Sequence, residues 1–169
     1  MLKKTLFISS FLIVIYEPTA LASWNTNSYT DIFTGTKNSE LIAEINNKNQ
    51  SVRFNCWEGK LTFSQVQEDQ NTIIKGIHRY DILFRAGDNA PVTFDTTLSR
   101  RNPKSIQLTS TQQDQIRLVL KQLQSQSSGE DFLIGVTNKN GTRLSSGAGS
   151  MAFAKTSIKR FITACKITL

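Results

Sequence analysis

The chain has 169 residues, a formal charge of +7, and 38% hydrophobic and 20% charged side chains. That length suits one domain with a single core. One histidine and two cysteines supply too few nitrogen and sulfur ligands for an ordinary zinc centre, so neither a metal nor a cofactor is expected.

The first residues carry Lys3 and Lys4, then an apolar run from Leu6 to Tyr16, then Ala20-Leu21-Ala22. A basic segment, a short apolar segment and small residues in that order predict a signal peptide over 1–22, cleaved after Ala22. The apolar run is well short of the ~20 residues needed to span a bilayer. No cysteine follows the small residues, so no lipoprotein anchor is expected. Residues 23–169 are then a single exported domain, placed in the periplasm or secreted beyond it.

From Trp24 to Gln50 the pattern is weak. "SYTDIFTG" can be a strand and "SELIAEIN" a short helix or strand, with Trp24, Tyr29, Ile32 and Phe33 covering one edge of the core. "SVRFNCWEGKLTFSQ", residues 51–65, alternates apolar and polar side chains around Glu58-Gly59, which predicts a hairpin. "IHRYDILFR" alternates again, with His78 on the side of Tyr80, Ile82 and Phe84. "VTFDTTLS" sets Val92, Phe94 and Leu98 against Thr93, Asp95 and Thr97, the pattern of a sheet with one wet face. Pro91 and Pro103 fall at turns or strand ends, and "SIQLTS" is one further short strand.

The period then changes. Ile116, Val119, Leu120 and Leu123 recur at helical spacing, predicting an amphipathic helix near 111–125 with Ser110 or Thr111 as its N-cap. "FLIGVTNKNGTRLSSG" reads as a second hairpin through Asn-Lys-Asn-Gly. "AKTSIKRFITAC" places Ile158, Phe161, Ile162 and Cys165 on one face of a helix near 155–165, with Lys155, Lys159 and Lys166 off that face. The expected fold is α+β: about six to seven strands of mainly antiparallel sheet, packed with these two helices.

Export places Cys56 and Cys165 in an oxidising compartment, where a structural disulfide between them is expected to close the fold. Two buried free thiols are the alternative. A redox or nucleophilic cysteine is disfavoured, because there is no Cys-x-x-Cys and His78 has no local link to either residue.

Chemistry is otherwise sparse. No Gly-x-Ser-x-Gly elbow is present. "GAGSMA", residues 147–152, has the spacing Gly-x-Gly-x-x-Ala but lacks the strand–turn–helix context of a dinucleotide site, and reads as a loop or wide turn. Glu68-Asp69 and Glu130-Asp131 lie in turn-like segments and read as solvated charges. No catalytic residue is assigned.

Basic residues are the only distributed feature. Arg100, Arg101 and Lys104 share the short segment "SRRNPK", read as a loop, and Lys155, Lys159, Arg160 and Lys166 line the last helix. Either group can attract an anionic partner or surface. Nucleic acid is not expected, for want of aromatic-basic interleaving and because the chain is exported.

Trp24, "DIFTG", "SVRFNC", "YDILFR" and a terminal "RFITAC" together resemble small Gram-negative envelope proteins. The likeness is to the type VI secretion-associated VasI-like proteins, and more distantly to the invasion-associated locus B proteins; it rests on Trp24, Cys56, Tyr80, Phe161 and Cys165. The resemblance implies a periplasmic, disulfide-closed, β-rich accessory domain with no catalytic residues to carry over. The expected function is therefore a non-enzymatic periplasmic binding or accessory protein of a secretion or envelope system, its partner another envelope or secreted protein or an anionic envelope surface. The alternatives are an inhibitor or immunity protein against a toxin or lytic enzyme, and an envelope hydrolase using loop carboxylates.

Overall fold

A computed structural model describes residues 24–46 and 49–169; the expected signal peptide lies outside these. Nine strands and two helices follow one another along the chain: β1 (Asn25–Thr30), β2 (Lys37–Ile45), β3 (Gln50–Trp57), β4 (Lys60–Glu68), β5 (Arg79–Ala86), β6 (Val92–Asn102), β7 (Ser105–Ser110), α1 (Gln113–Ser125), β8 (Asp131–Thr137), β9 (Arg143–Ser150) and α2 (Ala154–Cys165). All nine strands form one antiparallel sheet in the order β1-β2-β3-β4-β7-β6-β5-β8-β9. It curls into a half-barrel.

The α+β class and both helices agree with the expectation, but the strand count is higher. The two additional strands are β1 and β2, in the segment whose pattern is weakest. β1 is an edge strand whose residues are almost all exposed, so it carries no apolar alternation for a sequence to display. The two-residue turn at Glu58-Gly59 forms as expected, with φ of 49° and 77°, the left-handed pair that matches the twist of a hairpin.

The inner face is set by the period of two. Leu41 and Ala43 on β2, Val52 and Phe54 on β3, Leu61 and Phe63 on β4, Ile82 and Phe84 on β5, Val92 and Phe94 on β6, and Phe132 and Ile134 on β8 are all buried. Their rings pack in direct contact: Phe63 stacks on Phe94 with centroids 4.4 Å apart, and Phe84 on Phe132 at 5.3 Å. Such pairs add to the area they bury.

Both helices lie over one end of this concave face. The predicted stripe of α1, Ile116, Val119, Leu120 and Leu123, is buried. Its N-cap is Gln112 rather than Ser110 or Thr111, with no side-chain cap bond. Instead the Gln113 amide bridges to β4, accepting from the Leu61 N–H at 3.1 Å and donating to its carbonyl at 2.7 Å. α2 buries Ile158, Phe161 and Cys165 and lies across β1 and β2.

"GAGS" is not a loop: it forms the second half of β9. Its small residues let the two margins of the sheet meet. The Asn46 N–H donates to the Ala148 carbonyl at 2.7 Å, and the Trp24 indole N–H donates to the Ser150 carbonyl at 3.0 Å. A Cβ on Gly149 would stand 2.3 Å from Phe132 Cζ and 2.6 Å from the Glu44 carbonyl oxygen, so only glycine fits there.

Candidate interaction surface

The β1–β2 connection is a turn held by its own polar groups. The Asp31 carboxylate accepts from the backbone N–H of Phe33 and of Thr34, both at 2.8 Å, and its carbonyl accepts from Gly35 at 2.8 Å, where φ is 69°. Those two N–H groups, that of Thr34 foremost, hold the Asp31 carboxyl below the usual carboxylate range. The turn therefore has a defined shape, and what it presents is apolar. Ile32 is 87% and Phe33 91% exposed.

This corrects the expectation that Trp24, Tyr29, Ile32 and Phe33 together cover the core. Trp24 does; it is buried against Phe54 and Phe132. Tyr29 and Trp57 are half exposed and pair behind the tip, centroids 6.3 Å apart. The signal for the exposed pair is present in the sequence: Asp31 and Gly35 bracket Ile32 and Phe33 as turn residues, which takes them out of any strand alternation.

Lysines stand around this tip. Lys37 is opposite Thr30 in the β1–β2 register and Lys60 is opposite Trp57 in the β3–β4 register. Lys166, the left-handed C-cap of α2 with φ of 52°, follows Cys165, which lies 2.7 Å from Cys56, the neighbour of Trp57. Lys155, Lys159 and Lys166 recur at helical spacing along the exposed side of α2, and Arg160 is exposed beside them. The helix contains no acidic residue. A basic helix face thus leads to an apolar, aromatic tip.

The other basic group behaves differently. Arg100 and Arg101 belong to β6, not to a loop, and only Lys104 sits in the turn. Arg100 donates to the carbonyl oxygens of Asp69 and Thr72, clasping the β4–β5 connection. Arg101 donates to Glu40 at 3.1 Å and to Gln107 at 3.2 Å, and Arg53 donates to the same Glu40 oxygen at 2.8 Å. Arg101 and Lys104 border an outer cleft of about 900 Å³ that also holds Arg53, Glu44 and Glu68, so its charge is mixed. Arg100 and Arg101 are thus engaged by the β4–β5 connection, Glu40 and Gln107, whereas Lys155, Lys159 and Lys166 belong to α2 and its C-cap. The two basic groups do not form one patch.

His78 is also not in a strand: β5 begins one residue later, and the exposed ring's Nε2 lies 2.7 Å from the Lys75 carbonyl. Asp69 caps its own turn through the N–H groups of Asn71 and Thr72. An ion-pair cluster invisible to local sequence joins Lys139, in the β8–β9 turn, to Asp81 at 2.5 Å and Asp95 at 2.7 Å. Those carboxylates hold Lys139 above its ordinary range, and Lys139 holds Asp95 below its own. The cluster is largely exposed, and Arg79, 4.0 Å from Asp95, balances its second carboxylate, which suits a solvated brace rather than a reacting centre.

The cysteines are brought together as expected but are not bonded. Both are buried thiols, 2.7 Å apart. Burial, then the neighbouring Cys56 thiol, pushes Cys165 far above the usual thiol range, which suppresses the thiolate needed for nucleophilic chemistry.

Among the described residues, no group of three His, Cys, Asp or Glu side chains could hold a metal ion, and no helix is long and apolar enough to cross a membrane. Comparison with known families, curated proteins and solved structures finds no match to this chain.

Proposed function

We propose that the protein is a non-enzymatic accessory protein of the periplasm that docks on an anionic lipid surface through the Ile32–Phe33 tip and the basic face of α2. The observation that carries this reading is the pair of almost fully exposed apolar side chains on a turn of fixed shape, with lysines beside it. Burying Ile32 and Phe33 in the acyl boundary contributes roughly 1.5–3 kcal/mol each. Each lysine near an anionic surface adds about 1 kcal/mol. Two weak signals of this kind together give stable but reversible attachment. A protein partner is less well served, since a specific interface needs roughly 800 Å² on each side and the tip is a single short turn.

Export and cleavage after Ala22 remain part of the proposal, supported by the order of basic, apolar and small residues at the start of the chain. In that compartment Cys56 and Cys165 close into a disulfide, supported by their adjacency and shared burial.

Sedimentation with vesicles tests the docking. The protein should partition onto vesicles containing phosphatidylglycerol and far less onto phosphatidylcholine alone. Ile32→Ser with Phe33→Ser should weaken the partition roughly 100- to 10,000-fold, from the burial figures above. Lys155→Ala with Lys159→Ala and Lys166→Ala should weaken it on anionic vesicles at low salt only. Binding that ignores lipid charge, or that survives loss of both apolar side chains, overturns the reading. Stoichiometric capture of one envelope protein by the tip, with no lipid binding, would instead favour the inhibitor alternative.

A further inference from the structure

The helices cover only one end of the half-barrel. At the other end the inner face continues past the phenylalanine layer: two residues beyond Phe63 on β4 is Gln65, paired with Val52 on one side and with Leu108 on the other. Leu108 faces Leu98 on β6, and Val136 of β8 faces Ile82 of β5, two residues on from Tyr80. Of these, Gln65, Tyr80, Leu98, Leu108 and Val136 border an open cavity of about 410 Å³, within the range of small-molecule sites. No charged side chain lines it.

Gln65 is only 6% exposed. Its Nε2 donates to Gln50 Oε1 at 3.0 Å, and Gln50 Nε2 reaches Gln67 Oε1 at 3.5 Å. Its Oε1 has no partner. A buried acceptor left unmatched costs stability unless something donates to it. Exchanging the oxygen and nitrogen of this amide would set Gln65 Oε1 against Gln50 Oε1, acceptor against acceptor, so the orphaned atom is the oxygen.

We propose that this open end binds a small neutral ligand with an aliphatic body and one terminal N–H or O–H group, which donates to Gln65 Oε1 while the chain lies along Leu98, Leu108 and Val136. The uncharged wall disfavours a carboxylate, because a charge taken from water needs a countercharge that the cavity does not offer. A ligand that only accepts hydrogen bonds leaves Gln65 unmatched and loses discrimination in the way apolar sites cannot supply. The cavity is at the opposite end of the sheet from the Ile32–Phe33 tip, so the two assignments stand or fall separately.

Octanamide, octanoate and methyl octanoate, equal in chain length, separate the alternatives. With uniformly ¹⁵N-labelled protein, octanamide should shift the side-chain amide signals of Gln50, Gln65 and Gln67 saturably and bind about tenfold tighter than the methyl ester, with octanoate weaker still. Gln65→Leu should abolish the preference for amide over ester while keeping the ester's own affinity. Leu108→Trp, which fills the cavity, should abolish both. Vesicle binding should be unchanged in either variant. Absence of saturable shifts with octanamide, or an amide preference that survives Gln65→Leu, overturns the proposal and leaves water as the partner of Gln65.

Discussion

Cys56, at the inner face of β3, and Cys165, in the last turn of α2, lie 2.7 Å apart as two buried thiols. One belongs to β3, third in the sheet order, and the other to the C-terminal helix, so a bond between them would close most of the chain. In the exported protein they should be found linked: peptide mapping without reduction should recover the Cys56–Cys165 crosslink. Reduction should then lower stability by roughly 2–5 kcal/mol, measured by urea unfolding. Two alkylatable thiols in natively exported protein would refute the pairing.

The reduced protein should also be sensitive to alkali in a way the oxidised one is not. Burial and the Cys56 thiol raise the Cys165 pKa in the folded state, whereas in the unfolded chain it titrates near its ordinary value of 9.0. Above that pH the unfolded state has released a proton that the folded state retains. Stability therefore falls as pH rises, by up to about 1.4 kcal/mol per unit. Urea midpoints from pH 8 to 10, with and without reductant, check it; parallel curves would count against the assignment.

Gly149→Ala should destabilise the fold by about 1–3 kcal/mol, because the new methyl would overlap Phe132 and the Glu44 carbonyl at the seam of the sheet. Gly135→Ala, on the neighbouring strand, meets nothing closer than the Ser145 carbonyl at 3.7 Å and should stay within ~0.5 kcal/mol of the parent. Equal urea midpoints for the two variants would show that the seam yields.

Arg100→Ala should release the β4–β5 connection, since its guanidinium is the donor to the Asp69 and Thr72 carbonyls. Hydrogen exchange should quicken in residues 69–72 with little change in global stability, as exposed contacts of this kind contribute locally. Lys104→Ala, which removes a turn charge alone, should leave that exchange unchanged. Identical exchange in both variants would mean that Arg100 is only a solvated charge.

Sequence by itself determined the elements whose pattern is local. The turn chemistry of Glu58-Gly59, the alternation through Phe54 and Phe84, and the helical stripes ending in Leu123 and Cys165 are each readable because one face of each element is buried and the period follows backbone geometry. Edge strand β1 was not readable, because it buries almost nothing. The placing of Ile32 and Phe33 in solvent was signalled only by the turn residues Asp31 and Gly35 that bracket them, since apolar composition by itself says nothing of burial. Only the tertiary structure decided that Arg100 faces a loop carbonyl while Lys166 stands near Trp57, that small residues in β9 form a seam, and that Gln65 Oε1 ends at an uncharged cavity wall without a donor. Each of these depends on which strands lie side by side after the sheet curls, and that order is set by packing across the whole chain rather than by neighbours along it.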